Sequence, residues 1–230
     1  KQSDYYWPHV RGQNAAGIYS NSNVTLPTDL KKAHSWSWHH PSGRYATTVM
    51  GGNLVDDEKN IYISDEEGVR KLNGANGTEM WHYNAYGSAA VPSLWNGMVF
   101  HLVMGTAVAI DMQTGREVWS TRVAYSMGGD TEYINAYDGR VFLAAEAAAP
   151  PGGNRKAFGL NATTGDLLWE YCTECEGHAG LWNFMAVFPG DESLVFMDWS
   201  GGVYKLAVDT GKVIWHSPPP KEYLKSFTDG

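Results

Sequence analysis

The 230-residue sequence has only two cysteines, no long uninterrupted apolar run and no excess of basic residues. Two cysteines exclude a disulfide-dense scaffold, and a chain of this length can bury a full core without such staples. The most apolar tract, Met98 to Ile110, is broken by His101 and Thr106. It is shorter than the ~20 residues a membrane-spanning helix needs, so the chain is expected to be soluble, or held at a membrane only through something else. With 17 Lys and Arg against 25 Asp and Glu, the formal charge is −8. That leaves no basic footprint for phosphates, and nucleic acid is not an expected partner. No tract keeps a helical period over three turns; only Lys221 to Phe227, behind Pro218-Pro219-Pro220, reads as one or two turns of helix. A Gly-x-Ser-x-Gly elbow and a phosphate-binding loop are missing too, and the opening Lys1-Gln2-Ser3-Asp4 carries no visible targeting segment.

What the sequence has in excess is tryptophan, 10 residues of it, and four of these keep a register. Val69 to Trp81, Val108 to Trp119, Phe158 to Trp169 and Tyr204 to Trp215 share one pattern, in which Gly77, Gly115, Gly165 and Gly211 each precede a Trp by four residues. The Trp-to-Trp intervals of 38, 50 and 46 residues suit units of four short strands plus loops. Each copy reads as a hairpin: a strand ending near Leu72, Ile110, Leu160 or Leu206, a polar turn, Gly where positive φ is needed, and a strand carrying Trp. Asn73, Asp111 and Asn161 are placed to bond the turn backbone, whereas the fourth copy has Ala207 there and Asp209 later. The recurring Trp is expected to fill the same pocket between units each time. Further strands are expected upstream at Asn60–Ser64, Met98–Leu102, Arg140–Ala144 and Leu194–Asp198, after turn-formers such as Asn96-Gly97 and Asp138-Gly139. Less regular ones precede them around Ala46–Met50, Ala89–Leu94, Thr131–Ala136 and Trp182–Val187. The fold class is all-β, with four strands per unit.

The repeat Leu-Asp-x-x-Thr-Gly-x-x-x-Trp resembles the blade signature of the PQQ-like β-propeller superfamily, which includes quinoprotein dehydrogenases and the propeller lipoprotein of the bacterial outer-membrane assembly machine. Trp7-Pro8-His9-Val10-Arg11-Gly12, with Gly17 beyond it, is similar to the opening of secreted members. The resemblance implies a β-propeller of four-stranded antiparallel blades. Residues 1–32 form an N-terminal extension in this reading, 33–217 the blades and 218–230 a Pro-rich tail. Members usually close seven or eight blades, and four complete repeats plus a strand around Trp36 and Trp38 make a partial or open propeller. Its exposed edge calls for more chain or a partner.

Candidates for chemistry are sparse. Cys172-Thr173-Glu174-Cys175, with His178 close by, is read first as a local disulfide of an oxidising compartment and otherwise as free thiols, a redox pair or half of a zinc site. The acidic clusters Asp56-Asp57-Glu58 and Asp65-Glu66-Glu67 flank a strand and read as solvated turns in preference to a calcium site. His34, His39 and His40 cluster near the N-terminal strand, and His9, His82, His101, His178 and His216 are scattered, which suits structural histidines. Sequons occur at Asn23, Asn76 and Asn161, the last two inside repeat turns.

These features point to a non-catalytic propeller scaffold for protein–protein interaction, an accessory subunit on the periplasmic or lumenal face of a membrane-protein complex, with no cofactor and no metal. Two alternatives stand beside it: a PQQ-dependent dehydrogenase, whose relatives carry a vicinal Cys-Cys pair in place of Cys-x-x-Cys, and a carbohydrate- or small-ligand-binding propeller using Tyr5, Tyr6, Trp36 and Trp38.

Overall fold

The computed structural model describes residues 29, 35–42, 54–86, 91–124, 134–146 and 155–219. Sixteen strands form four antiparallel sheets of four, each in simple up-and-down order. Blade 1 holds β1 (Leu54–Val55), β2 (Ile61–Asp65), β3 (Gly68–Leu72) and β4 (Glu79–Asn84), and blade 2 holds β5 (Ser93–Trp95), β6 (Met98–Val103), β7 (Thr106–Asp111) and β8 (Glu117–Arg122). Blade 3 comprises β9 (Ile134–Tyr137), β10 (Arg140–Glu146), β11 (Arg155–Asn161) and β12 (Leu167–Tyr171). Blade 4 comprises β13 (Leu181–Phe188), β14 (Ser193–Asp198), β15 (Val203–Ala207) and β16 (Val213–Ser217). Two short 3-10 turns, Glu174–Glu176 and Pro189–Asp191, are the helical pieces among the described residues. The fold is that of a β-propeller, as the repeat implies. No helix among the described residues is long and apolar enough to cross a membrane.

Local chemistry explains the hairpins. Asn96-Gly97 and Asp138-Gly139 have positive φ at both residues (46° and 77°, 44° and 76°), which makes two-residue turns whose twist matches that of the flanking strands. In the longer turn between the third and outermost strands, the carbonyls of Asn73, Asp111, Asn161 and Ala207 accept the N–H of Gly77, Gly115, Gly165 and Gly211 at 2.8–2.9 Å. Asp111 Oδ1 further accepts the Thr114 N–H and hydroxyl, which holds its carboxyl below the usual range. Ala207 lacks that side chain, yet its turn keeps the same backbone bonds.

One residue past each turn the register shifts. Leu72 pairs with Glu79 but Lys71 with Trp81, and the same skip occurs at Ile110/Ala109, Leu160/Gly159 and Leu206/Lys205. Met80, Val118, Leu168 and Ile214 are thus bulged out, each about half exposed. Since side chains alternate across a strand, one extra residue moves the following side chain to the other face. The bulge is what turns each Trp toward the face shared with Lys71, Ala109, Gly159 or Lys205.

Three buried clusters make up the core, and each spans two consecutive blades: blades 1 and 2, 2 and 3, and 3 and 4. None of the three joins blade 4 to blade 1. The expected first strand at Ala46–Met50 lies outside the described residues, and the innermost strand of blade 1 is the short β1. The Trp7–Gly17 motif, Lys221–Phe227, Asn23, His34, Tyr5 and Tyr6 also lie outside them.

Candidate functional site: the faces between blades

Blades 1 to 3 each pass a tryptophan to the next blade. Trp81 of blade 1 donates its Nε1–H to the Met112 carbonyl of blade 2 at 3.0 Å, Trp119 to Ala162 of blade 3 at 2.9 Å, and Trp169 to Val208 of blade 4 at 2.9 Å. In every case the indole lies flat over the turn glycine three residues beyond that carbonyl. A Cβ at Gly115, Gly165 or Gly211 would sit 2.5–2.8 Å from ring carbons of Trp81, Trp119 or Trp169. The repeat glycine therefore has two reasons to be there: a φ of 64–77°, and the indole of the preceding blade pressed against it. Each indole also meets an aromatic of its own blade: Tyr62 lies edge-on to Trp81, Phe100 is tilted against Trp119 and Phe142 stacks on Trp169, with centroids 5.8–6.0 Å apart.

Trp36 joins this series from outside the four sheets. Its Nε1–H donates to the Gly74 carbonyl at 2.9 Å, and its ring covers Gly77, where a Cβ would lie 2.5 Å away. One side of the half-buried ring is thereby taken by the blade 1 turn. Trp38 meets His40 edge-on at 5.7 Å.

Trp215 departs from the expected common pocket. It is 43% exposed, and Met197, two strands away on β14, is 48% exposed, because no blade packs on that side of blade 4 among the described residues. Its cross-strand neighbours are Lys205 and then Val195, where the other blades place an aromatic. Lys205 Nζ is hydrogen-bonded to Asp191, whose carboxyl that contact holds below the usual range, with help from Ser193. Blade 1 carries the same Lys/Trp pair, Lys71 opposite Trp81, and there Lys71 Nζ donates to the Met112 carbonyl at 3.1 Å, the same acceptor that Trp81 uses. Both lysines stand six residues before the turn glycine, a shared position visible in the aligned copies.

Other candidate groups prove to be internally satisfied. Asp56 and Asp65 are buried, contrary to the expectation of solvated turns. Asp56 accepts the N–H groups of Glu58 and Asn60 and the Tyr62 hydroxyl and pairs with Lys71 at 3.3 Å. Burial opposes its ionisation, but the bonds from Asn60 and Tyr62 and the Lys71 charge outweigh that, and its pKa is lowered. These two charges line an open cleft of about 590 Å³ between blades 1 and 2, with Asp57, Glu58, Met80 and Gln113 around it. His40, Asp65 and Glu67 lie close enough to share a cation. However, Arg70 already binds the same oxygens, Asp65 Oδ2 through Nε at 3.3 Å and Glu67 Oε2 through Nη2 at 2.6 Å, and Glu79 through Nη1 at 2.8 Å. A guanidinium in that position repels a metal ion, so the donor set does not fit one. The cluster holds the N-terminal segment to blade 1 through His40, 3.1 Å from Asp65. Burial works against the Arg70 charge, but Glu79 and Asp65 outweigh it and raise its pKa.

Cys172 and Cys175 are joined in a disulfide in the loop from blade 3 to blade 4. The Cys175 N–H points at Cys172 Sγ, and Tyr171 donates to Glu176 at 2.9 Å. His178 from this loop lies against His216, which stacks on Tyr204 with ring centroids 4.2 Å apart. The loop thus closes one end of the junction between blades 3 and 4. His101 is fully buried in blade 2, and burial pushes its pKa down to about 3, a neutral structural histidine.

Among solved structures, the chain is similar to quinohemoprotein alcohol dehydrogenase ADHIIG from Pseudomonas putida HK5, at 16% identity and a TM-score of 0.66 over 94% of this chain and 40% of that one. It is similar to quinohemoprotein alcohol dehydrogenase from Comamonas testosteroni at 18% identity, TM-score 0.61, over 75% of this chain and 35% of that one. BamB from Moraxella catarrhalis matches at 17% identity, TM-score 0.57, over 80% of this chain and 54% of that one. These likenesses concern the fold, and the chain spans between 35% and 54% of the length of these three structures. A comparison with curated protein sequences finds no match. A sequence model of the family described as outer membrane protein assembly factor BamB matches residues 42–223, a span that takes in all four blades, and the chain belongs to that family of PQQ-like propeller repeats.

Proposed function

We propose that the protein is a non-catalytic propeller scaffold for protein–protein interaction, an accessory subunit on the periplasmic or lumenal face of a membrane-protein complex. The observation that carries this reading is the outward side of blade 4, where Trp215 and Met197 are 43–48% exposed on a sheet whose counterparts in blades 1 to 3 are covered. An apolar sheet face of this kind is a contact surface awaiting an occupant. Membership of a family described as an assembly factor supports the same reading. In this scheme residues 33–217 form the interacting propeller, 1–32 an extension and 218–230 a tail, and the Cys172–Cys175 disulfide supports an oxidising compartment.

A photo-crosslinker at Met197, used in a mild membrane extract, is expected to yield a discrete adduct with a protein of a membrane complex, and Trp215→Ala to abolish it. No adduct beyond background overturns the reading. The enzymatic alternative, a PQQ-dependent dehydrogenase, rests on fold likeness alone, since Cys172 and Cys175 are separated by two residues and not vicinal. Dye reduction after adding PQQ and Ca²⁺ would replace the scaffold with an enzyme.

A further inference from the structure

The loop from blade 3 to blade 4 carries chemistry that the propeller does not need for its own assembly. Cys175 is exposed and Cys172 half-buried, so the two ends of their disulfide differ in access. The Cys175 N–H donates to Cys172 Sγ at 3.1 Å. A donor in that position favours negative charge on the sulfur it faces, which marks Cys172 as the end that leaves when the bridge opens.

The turn is held without the bridge. The Thr173 carbonyl accepts the N–H groups of Glu176 and His178 at 3.1 Å, and the Glu174 carbonyl accepts that of Gly177 at 3.1 Å. Thr173 is fully buried, and its hydroxyl donates to the Ala179 carbonyl at 2.7 Å. Tyr171 holds Glu176, and the Gly180 carbonyl accepts the Trp199 N–H at 2.9 Å, which fastens the end of the loop to blade 4. A bridge between residues three apart in sequence takes little loop entropy from the unfolded chain. It therefore adds little to the fold and opens at little cost, and exposed disulfides of that kind are the ones that exchange with thiols.

We propose that Cys172–Cys175 is a thiol-exchange site, in which the exposed Cys175 sulfur takes a low-molecular-weight thiol of neutral or positive charge as a mixed disulfide and Cys172 is the leaving thiolate. A thiolate RS⁻ attacks Cys175 Sγ; the new S–S bond forms as the bond to Cys172 breaks, and that electron pair goes to Cys172 Sγ, which then takes a proton from water. A second RS⁻ attacks the R-bearing sulfur and releases Cys175 as a thiolate, which is protonated in turn. Two thiols are oxidised to RSSR, and the pair gains two electrons and two protons.

Charge selects the thiol. Glu174 and Glu176 bracket Cys175, and the sequence holds no Lys or Arg between Glu170 and Lys205. An anionic thiol approaches against these carboxylates, whereas one carrying an ammonium group is drawn in. The site packs on Tyr204 and His216, the side of blade 4 that faces blade 3, so its chemistry stands or falls apart from the scaffold reading, which rests on the opposite side.

The test uses the full chain without denaturant at neutral pH, mixed with cysteamine, trapped with N-ethylmaleimide at successive times and mapped by tandem mass spectrometry. Intermediates should carry cysteamine on Cys175 and the maleimide on Cys172, and the fully reduced chain should keep its near-UV circular dichroism. With each thiol's rate divided by its rate on neutral hydroxyethyl disulfide, cysteamine should be favoured over mercaptopropionate by at least about threefold at low salt, with the preference fading in high salt. Glu174→Gln with Glu176→Gln should remove that preference and leave the reduction itself intact. A bridge that resists cysteamine until the chain unfolds, reduction that abolishes the near-UV signal, or cysteamine found on Cys172 overturns the proposal. Equal normalised rates for the two thiols at low salt overturn the charge selection.

Discussion

Blades 3 and 4 are built from the same hairpins, yet one outward side is core and the other is surface. On blade 3, Phe142, Ala157, Trp169 and Tyr171 are buried at 0–9% exposure under Leu194, Phe196, Tyr204 and Leu206 of blade 4. On blade 4 the corresponding register holds Val195, Lys205 and Trp215. Bulge, turn and tryptophan are common to both. What separates them is the presence of a neighbouring turn for the indole to cover, and in blade 3 a glycine opposite it. A Cβ at Gly159 would lie 2.3 Å from the Trp169 ring, which lets that indole sink deepest of the series. Blade architecture is thus written into each repeat, whereas burial of the recurring aromatic is a property of the pair.

The largest expected effects fall on the covered side. Trp169→Ala should cost about 3–5 kcal/mol in urea unfolding, with Gly211→Ala severe as well, since its Cβ would meet the indole at a φ of 64°. Trp215→Ala should stay within about 0.5 kcal/mol in the dilute protein; equal costs at the two sites would erase the distinction. Deleting Leu168, the bulged residue, should turn Trp169 to the wrong face and destabilise by about 2–4 kcal/mol, visible as loss of its buried fluorescence. Lys71→Met should cost about 2–3 kcal/mol, because a buried partner of Asp56 is removed. Lys205→Met, on an exposed pair, should cost about 0–1 kcal/mol.

Acid separates the interior from the open side more gently. His101 is neutral when folded, with a pKa of about 3, and its unfolded value is near 6.5. As pH falls below about 6.5 the unfolded chain takes up a proton that the native chain refuses, so stability is lost from there down toward about pH 3, by up to about 1.4 kcal/mol per unit. His101→Gln should remove that part of the slope in urea titrations at successive pH values.

Much of the fold is legible in the sequence, because Gly and Trp at a fixed spacing encode a turn and a bulge that act locally. Asn96-Gly97 and Asp138-Gly139 mark their hairpins for the same reason. The target of each indole is not legible, since Trp81 meets Met112 and Gly115 through tertiary packing alone. Trp36 has no glycine four residues before it and so escapes the repeat, though its docking is the same. Asp56 and Asp65 look like solvated acids in sequence because their partners, Tyr62, Lys71, Arg70 and His40, gain meaning only once the strands are paired.

The most direct measurement is exchange of the indole N–H protons of Trp36, Trp81, Trp119, Trp169 and Trp215 with solvent, followed by NMR in the dilute protein. Those of Trp36, Trp81, Trp119 and Trp169 donate to carbonyls and should be protected, whereas that of Trp215 should exchange at the rate of an open indole. Slow exchange at Trp215 under the same conditions, or fast exchange at Trp169, would contradict the account.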